Sequence, residues 1–270
     1  MSELVAGLVL ASALLHLTWN LLVRHEPGSL KFVWYLTLAG GLLATVAALA
    51  LGFSPDFHRV WPWLSGTIIA HAFYFSGLAH AYKEGDLGDI YPATRGGGIL
   101  GTVLLAGLLL QQPIPLVTLC GILVVALAVM VPAFRARWTL SRMSWTLLVM
   151  ASIAVYSTTD SHGVHLLSPI PYIACQFLGT AVVLTPWALK DRTVVRVHVA
   201  AGAGLMSMIS YLLILYAYQR TAAAPVLALR QIGIALSPWM GWLFLRERMR
   251  RDALWISIAI AIGAALIVMG

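Results

Sequence analysis

Two arginines lie inside stretches of the chain that are otherwise almost entirely apolar. Arg95 precedes a run of three glycines, and Arg230 precedes Gln231 in a comparable stretch that also contains Ser237-Pro238. We expect the glycines and the Ser-Pro pair to loosen their helices, as at the binding sites of transporters with interrupted helices. A guanidinium group matches the geometry of a carboxylate, phosphate or phosphonate, so two of them could bind one oxyanion from both sides. The alternative is that each side chain reaches back to a nearby helix end about five residues, or roughly 7–8 Å, away. A pairing of Asp160 with one of the arginines is a third possibility, and the sequence leaves all three open.

Polar residues elsewhere recur at helical spacing within apolar stretches. One set is Ser12, His16, Trp19 and Asn20, and a later set is Ser152, Tyr156, Thr159 and Asp160. The spacing i, i+4, i+7, i+8 places each set on one face of a helix. We expect the two faces to line a central cavity, with hydrogen bonding between helices as the alternative role.

Three titratable side chains in apolar runs are candidates for carrying a proton. Asp160 is the only carboxylate well inside such a run, and His16 and His71 are the histidines considered with it. A carboxyl or imidazole group inside a membrane typically marks a substrate or proton path, although a histidine can also serve packing alone. The candidate binding set is completed by Tyr74, three residues after His71, and by Tyr211 and Gln231.

The composition predicts a membrane protein. Of 270 residues, 60% are hydrophobic and only 10% are charged, and the mean hydropathy is +0.88. A soluble domain carries about a quarter charged residues, and a bilayer accepts the apolar excess that water does not. The net charge of +7 does not indicate a nucleic-acid partner, because the basic residues form no continuous face.

Ten continuous apolar runs predict about ten transmembrane helices, whereas a β-barrel would need alternating residues. The predicted spans are Leu4–Val23, Phe32–Leu51, Trp63–Tyr82, Ile90–Leu110, Ile114–Phe134, Trp145–Leu167, Tyr172–Leu189, Val199–Tyr218, Val226–Leu245 and Leu254–Met269.

Loop charge predicts the orientation. Numbered in order, the odd gaps between runs hold nearly all of the 17 lysines and arginines, and the even gaps and tails hold only Arg59 and Arg220. The positive-inside rule then places the odd gaps in the cytoplasm and both chain termini outside, in the inner or plasma membrane.

The two halves of the chain repeat each other weakly. At a shift of 140 residues Thr18 meets Thr158 and Asn20 meets Asp160, and further on Arg95 has Arg230 as its mate. We assign residues 1–138 to a first repeat and residues 139–270 to a second. Five helices in each half make the repeat inverted, an arrangement typical of secondary transporters.

The sequence resembles the EamA type of the drug/metabolite transporter superfamily. The stretch from His16 to Asn20, with Arg24, is similar to the family's first-helix signature, and Leu245-Arg246-Glu247-Arg248 to its motif after the ninth helix; Gln112 stands where the first half would carry the glutamate. The resemblance implies alternating-access transport, often export. Many members have cytoplasmic termini, whereas the loop charge here predicts the reverse.

We therefore expect a transporter for a small polar metabolite, an amino acid or another small anion or zwitterion, with export and proton coupling as further expectations. Its partners would be that substrate and membrane lipids, with no cofactor and no metal. The alternatives are a flippase for a lipid-linked substrate, an intramembrane enzyme and a structural membrane subunit. The enzyme has little support, because the sequence holds no H-E-x-x-H, G-x-S-x-G or P-loop motif.

Overall fold

The computed structural model describes residues 1–22, 29–53, 57–84, 87–134, 136–236, 239 and 251–270, with the backbone alone at 20–22, 82–84, 87–89 and 251. These residues form ten helices and no strand. The helices are α1 (Glu3–Leu22), α2 (Leu30–Ala50), α3 (Phe57–Glu84), α4 (Leu87–Leu110), α5 (Leu116–Phe134), α6 (Leu140–Leu166), α7 (Pro169–Ala188), α8 (Val197–Tyr218), α9 (Ala223–Arg230) and α10 (Arg251–Met269).

Six of the described helices, α2, α4, α5, α7, α8 and α10, are long and apolar enough to cross a membrane. Their outer faces carry large apolar side chains, such as Leu108 at 77% exposure and Val182 at 71%. Water would penalise such a surface, whereas lipid does not. The all-helical membrane class expected from composition is confirmed to that extent. The helices α3 and α6 are longer but carry more polar residues, including His71 and Asp160.

Helices of the two halves pack against each other in matching pairs. We match each helix of the first half with the helix five places later in the second half. The contact of α3 with α6 then corresponds to that of α8 with α1, and the contact of α2 with α8 corresponds to that of α7 with α3. Helix α4 contacts α6 as α9 contacts α1, while α2 meets α7 and α5 meets α10. The pairs α2–α7 and α5–α10 pack mainly against the other helices rather than pair against pair.

Two hydrogen bonds join loop regions of the two halves, one between odd-numbered gaps and one between even-numbered gaps. The backbone N–H of Lys31, in the first gap, donates to the carboxylate of Asp191, in the seventh gap, at 3.3 Å. The backbone N–H of Ala223, which follows the eighth gap, donates to Gln112 in the fourth gap at 3.2 Å. The amino group of Met1 donates to the carbonyl oxygen of Val268 at 2.9 Å, so both ends of the chain lie at one face.

Glycines allow the closest approaches between helices of the two halves. A Cβ atom on Gly204 of α8 would lie 2.4 Å from the carbonyl oxygen of Leu36 in α2. A Cβ on Gly121 of α5 would lie 2.6 Å from the carbonyl oxygen of Gly263 in α10. Both distances are too short for a carbon, so the backbones touch only because these residues lack a side chain.

From the sequence we expected the three glycines after Arg95 to loosen their helix, but they do not. Helix α4 is continuous from Leu87 to Leu110. The three glycines instead face neighbouring side chains: a Cβ on Gly98 would lie 2.6 Å from Ile153 of α6, and one on Gly96 2.2 Å from Met130 of α5. Their role in this structure is close packing.

The ninth predicted helix, Val226–Leu245, is interrupted rather than continuous. Helix α9 begins at Ala223 and ends at Arg230, Gln231 forms a turn, and helical backbone resumes over residues 232–236. The break places Arg230 at a helix terminus. Ser237-Pro238, where we expected the weak point, and the Leu245–Arg248 motif lie outside the described residues.

Candidate functional site

Arg230 points into the space between the two halves. Its Nη2 atom donates to the Nδ1 atom of His16 in α1 at 3.2 Å and to the hydroxyl of Ser210 in α8 at 3.3 Å. Because a guanidinium group has no acceptor, His16 Nδ1 must accept, and that imidazole is neutral in this arrangement. The ring of Tyr211 lies 5.8 Å from the Arg230 Cζ atom. The side chain is therefore held by neutral groups and an aromatic face inside the bundle.

Arg95 is buried in a similar way in the other half, with 8% of its surface exposed. Its Nη2 atom donates to the hydroxyl of Tyr74 in α3 at 3.0 Å. Its guanidinium group also lies over the ring of Tyr91, one helical turn earlier in α4, at 4.9 Å. Contacts between a cation and an aromatic ring at this distance stabilise the charge without neutralising it.

The two arginines face the same region. Arg95 reaches Tyr156 of α6 through Tyr74, whose ring meets that of Tyr156 at 5.8 Å, and Arg230 reaches it through Tyr211, whose ring meets it at 6.4 Å. The Arg95 side chain lies over Tyr91, one turn nearer the start of α4, while Arg230 ends α9 and contacts α1 and α8. Two guanidinium groups converging on one region form a positive centre that an anion would stabilise.

Asp160 lies beside this positive centre, fully buried on α6. Its carboxyl group accepts a hydrogen bond from the hydroxyl of Tyr172 in α7 at 2.8 Å and another from that of Tyr211 in α8. Tyrosine hydroxyls thus take the place of the arginine partner that the sequence left as one possibility.

An aromatic cluster joins the carboxyl group to the arginines. His71 stacks on Tyr156 with ring centroids 4.2 Å apart, and it meets the edge of Tyr211 at 5.7 Å. Tyr74, which binds Arg95, meets the edge of Tyr156 at 5.8 Å. His71 Nδ1 lies 2.9 Å from the carbonyl oxygen of Thr67. The cluster brings side chains from α3, α6 and α8 into one surface.

The remaining predicted site residues lie at the margin. Trp19 packs edge-on against His16 with centroids 5.4 Å apart. Gln231 donates through Nε2 to the carbonyl oxygen of Leu227 in its own helix at 2.8 Å. The backbone of Asn20 is described, but its side chain lies outside the described residues.

The two polar faces only partly line the centre as expected. Ser12 bonds Ser210 across the α1–α8 contact, with oxygens 3.1 Å apart, so here the hydrogen-bonding alternative holds. Ser152 and Thr159 donate to carbonyl oxygens of their own helix. Of these two faces, His16, Tyr156 and Asp160 reach the centre.

Sequence reasoning missed three residues of the centre. Tyr91 could have been found, because it stands four residues before Arg95 and so on the same helix face. Ser210 directly precedes Tyr211, and its role depends on how α1 meets α8. Tyr172 reaches Asp160 only because α7 folds back after Ser168, which no local pattern indicates.

The described helices and their apolar outer faces indicate a helical membrane protein, and comparisons with known proteins agree with that class. Residues 140–269 match the model of the EamA-like transporter family, and residues 31–125 match that of the Small Multidrug Resistance protein. No curated protein matches the chain. Among 29 matching chains of solved structures, one titled only "Crystal structure of protein" has a TM-score of 0.78 at 16% identity, covering 100% of this chain and 98% of its own. At that identity the likeness shows the fold alone.

The second half of the chain matches the EamA-like family of the drug/metabolite transporter superfamily, and the resemblance noted in the sequence is confirmed. Both matched families are transporters and not enzymes. The protein is therefore a multi-pass membrane transporter.

Proposed function

We propose that this protein is a secondary transporter that moves a small anionic or zwitterionic metabolite by alternating access. The observation that carries the proposal is that Arg95 and Arg230, one from each half, contact the same tyrosine cluster around Tyr156, Arg95 through Tyr74 and Arg230 through Tyr211. An oxyanion between them would accept hydrogen bonds from both guanidinium groups and relieve their mutual repulsion. The aromatic rings of Tyr74, Tyr91 and Tyr211 would receive the apolar part of the substrate.

The same proposal includes ten membrane crossings in two inverted repeats, residues 1–138 and 139–270. Two features support it: the matched packing of helices between the halves, and the meeting of odd gaps with odd gaps and even with even. Chain ends at one face fit an even number of crossings. A site between such halves can open to either side as one half rocks against the other.

Location, direction and energy source follow as parts of the proposal. Loop charge places the odd gaps in the cytoplasm and both termini outside an inner or plasma membrane. Export is the direction that the family resemblance favours. Asp160 is the proposed proton carrier, since a buried carboxyl group beside the substrate centre can exchange a proton when the cavity opens.

The test is ligand-induced stabilisation of the purified protein in detergent. Probes are L-amino acids, succinate and inorganic phosphate, with simple amines as the opposite charge class. A ligand that binds only the folded state at a hundredfold excess over Kd stabilises it by about 2.7 kcal/mol. We expect an anionic or zwitterionic probe to stabilise the wild type and to lose its effect in Arg230→Ala.

The matched control is Arg220→Ala. Arg220 lies exposed at the end of α8 and donates to the carbonyl oxygen of Tyr216, outside the centre. The Arg220→Ala protein should be stabilised by the same probes as the wild type, and to the same extent. Stabilisation by amines alone, lost in Asp160→Asn but kept in Arg230→Ala, would contradict the anion proposal and assign the centre to cations.

A further inference from the structure

Tyr211 is the one described side chain that contacts both the buried carboxyl group and Arg230. Its hydroxyl donates to Asp160 of α6, and its ring lies 5.8 Å from the Arg230 Cζ atom. Three helices, α6, α8 and α9, thus meet through one phenol. A change at the carboxyl group can reach the guanidinium group through this ring without any movement of the backbone.

Protonation of Asp160 must alter its hydrogen bonds. A carboxylate accepts from two hydroxyl groups at once, one at each oxygen, as Asp160 does from Tyr172 and Tyr211. When one oxygen carries a proton, that oxygen becomes a donor, and the hydroxyl facing it must turn or become the acceptor. One of the two tyrosine contacts therefore has to change when the proton arrives.

The packing decides which contact changes. Tyr172 is fully buried, and its ring is pressed against Gly163 of α6, where a Cβ atom would lie 2.5 Å from the ring. Tyr211 is 7% exposed and touches other rings only edge-on, those of His71 and Tyr156. The looser phenol, that of Tyr211, is the one free to respond.

We propose that Tyr211 couples the protonation of Asp160 to anion binding at Arg230, an inference that rests on the proposed function. With the carboxylate charged, the hydroxyl bond fixes the phenol and enriches its ring in electrons, which holds the guanidinium group against the ring. Proton uptake releases the phenol, and the guanidinium group becomes available to the anion. The anion then binds more tightly when Asp160 is protonated.

Other titratable and charged groups surround the carboxyl group, and the test must separate them from Tyr211. His71 approaches from α3, Tyr156 belongs to the same helix, Tyr218 approaches from α8, and Arg230 from α9. Arg95 acts from α4 through Tyr156. His16 of α1 accepts from Arg230 itself. Both His71 and His16 can titrate in the same pH range as a carboxyl group, so His71→Gln and His16→Gln variants belong in the series.

The experiment measures the apparent Kd for sulfate by thermal shift between pH 5 and pH 8, where sulfate keeps its charge. The general stabilising effect of sulfate on any protein is subtracted with Arg230→Ala at each pH. We expect wild-type Kd to fall several-fold, up to about tenfold, from pH 8 to pH 5, the range that a cation–ring contact supplies. The ratio of the Kd at pH 8 to the Kd at pH 5 should survive in His71→Gln and His16→Gln, whatever their absolute Kd, and its loss in His16→Gln would overturn the coupling.

Two tyrosine variants form the decisive pair, because each removes one hydroxyl donor to the same carboxyl group. Tyr211→Phe should bind sulfate but change its Kd less than twofold over the pH range. Tyr172→Phe should keep the wild-type amplitude, which is the ratio of the Kd at pH 8 to the Kd at pH 5. Only the pH midpoint of the change should shift. A Tyr211→Phe protein with the full wild-type amplitude would overturn the coupling, as would a loss of amplitude in His71→Gln.

The two proposals fail in different ways. If wild type binds sulfate through Arg230 but with no pH dependence, the anion centre stands and the coupling is wrong. If no variant differs from Arg230→Ala at any pH, the anion centre itself is wrong and the coupling with it.

Discussion

Replacement of Gly204 by alanine should destabilise the contact between the two halves of the protein. A Cβ atom there would lie 2.4 Å from the carbonyl oxygen of Leu36 and 3.2 Å from its carbonyl carbon, and real Cβ atoms essentially never come closer than 3.0 Å to another heavy atom. The helices α2 and α8 must therefore separate by at least about 0.6 Å, because backbone atoms, unlike side-chain ends, cannot turn aside. Extra volume forced into a packed core costs about 1–3 kcal/mol.

Gly202 provides the matched control in the same helix. A Cβ on Gly202 would meet nothing within 4 Å, and alanine has a higher helix propensity than glycine by up to about 1 kcal/mol. Gly202→Ala should therefore be neutral or slightly stabilising. The difference between the two variants isolates the backbone contact, since both make the same chemical change two residues apart.

The assay is reversible unfolding in mixed micelles of a mild detergent and increasing sodium dodecyl sulfate, followed by helical circular dichroism and tryptophan fluorescence. We expect Gly204→Ala to unfold at a lower fraction of denaturing detergent than Gly202→Ala. Equal midpoints for the two variants would refute the close packing of α2 against α8.

Two further predictions concern the loops that join the halves. Partial burial acts to raise the pKa of Asp191, but hydrogen bonds from Thr193 and Lys31 outweigh it and hold the pKa below its usual range. The charged carboxylate thus contributes stability above about pH 4, and this stability is lost as the pH falls through the lowered pKa of Asp191. Asp191→Asn should therefore unfold at a lower fraction of denaturing detergent than wild type at pH 7. This difference between the two proteins should disappear on acidification. A constant difference at all pH values would count against this assignment. Gln112→Leu should speed hydrogen exchange at the start of α9 several-fold, because the N–H of Ala223 loses its acceptor. The exchange rate can be measured by mass spectrometry of a peptide over residues 219–226. An unchanged rate would show that the hydrogen bond between Ala223 and Gln112 is not formed.

Much of the architecture could be predicted from the sequence, because membranes impose long apolar helices. The positions of Arg95 and Arg230 within apolar runs marked them as candidates, and the structure gives them partners on α3, α1 and α8. The transporter class was indicated by the family resemblance of the sequence, which the match over residues 140–269 confirms. Substrate roles for the individual residues stay predictions.

The parts that could not be predicted depend on packing between helices. The pairing of Asp160 with Tyr172 and Tyr211 needs α7 and α8 in place, and no spacing along the chain encodes it. The glycines after Arg95 were interpreted as a flexible point because glycine weakens isolated helices, but neighbouring side chains fill the space that they leave. The break at Gln231 lies two residues before Gly233, a weak helix former, whereas we expected it at Ser237-Pro238.

The neighbouring ends of the chain make the protein suitable for circular permutation. A short peptide joining Gly270 to Met1 would span the distance at which Met1 already bonds Val268. New ends opened between α5 and α6 would leave each helix its partners while reversing the order in which the halves are synthesised. If each helix crosses the membrane once, that permutation also carries both ends to the opposite face, where an epitope tag would report the change of side.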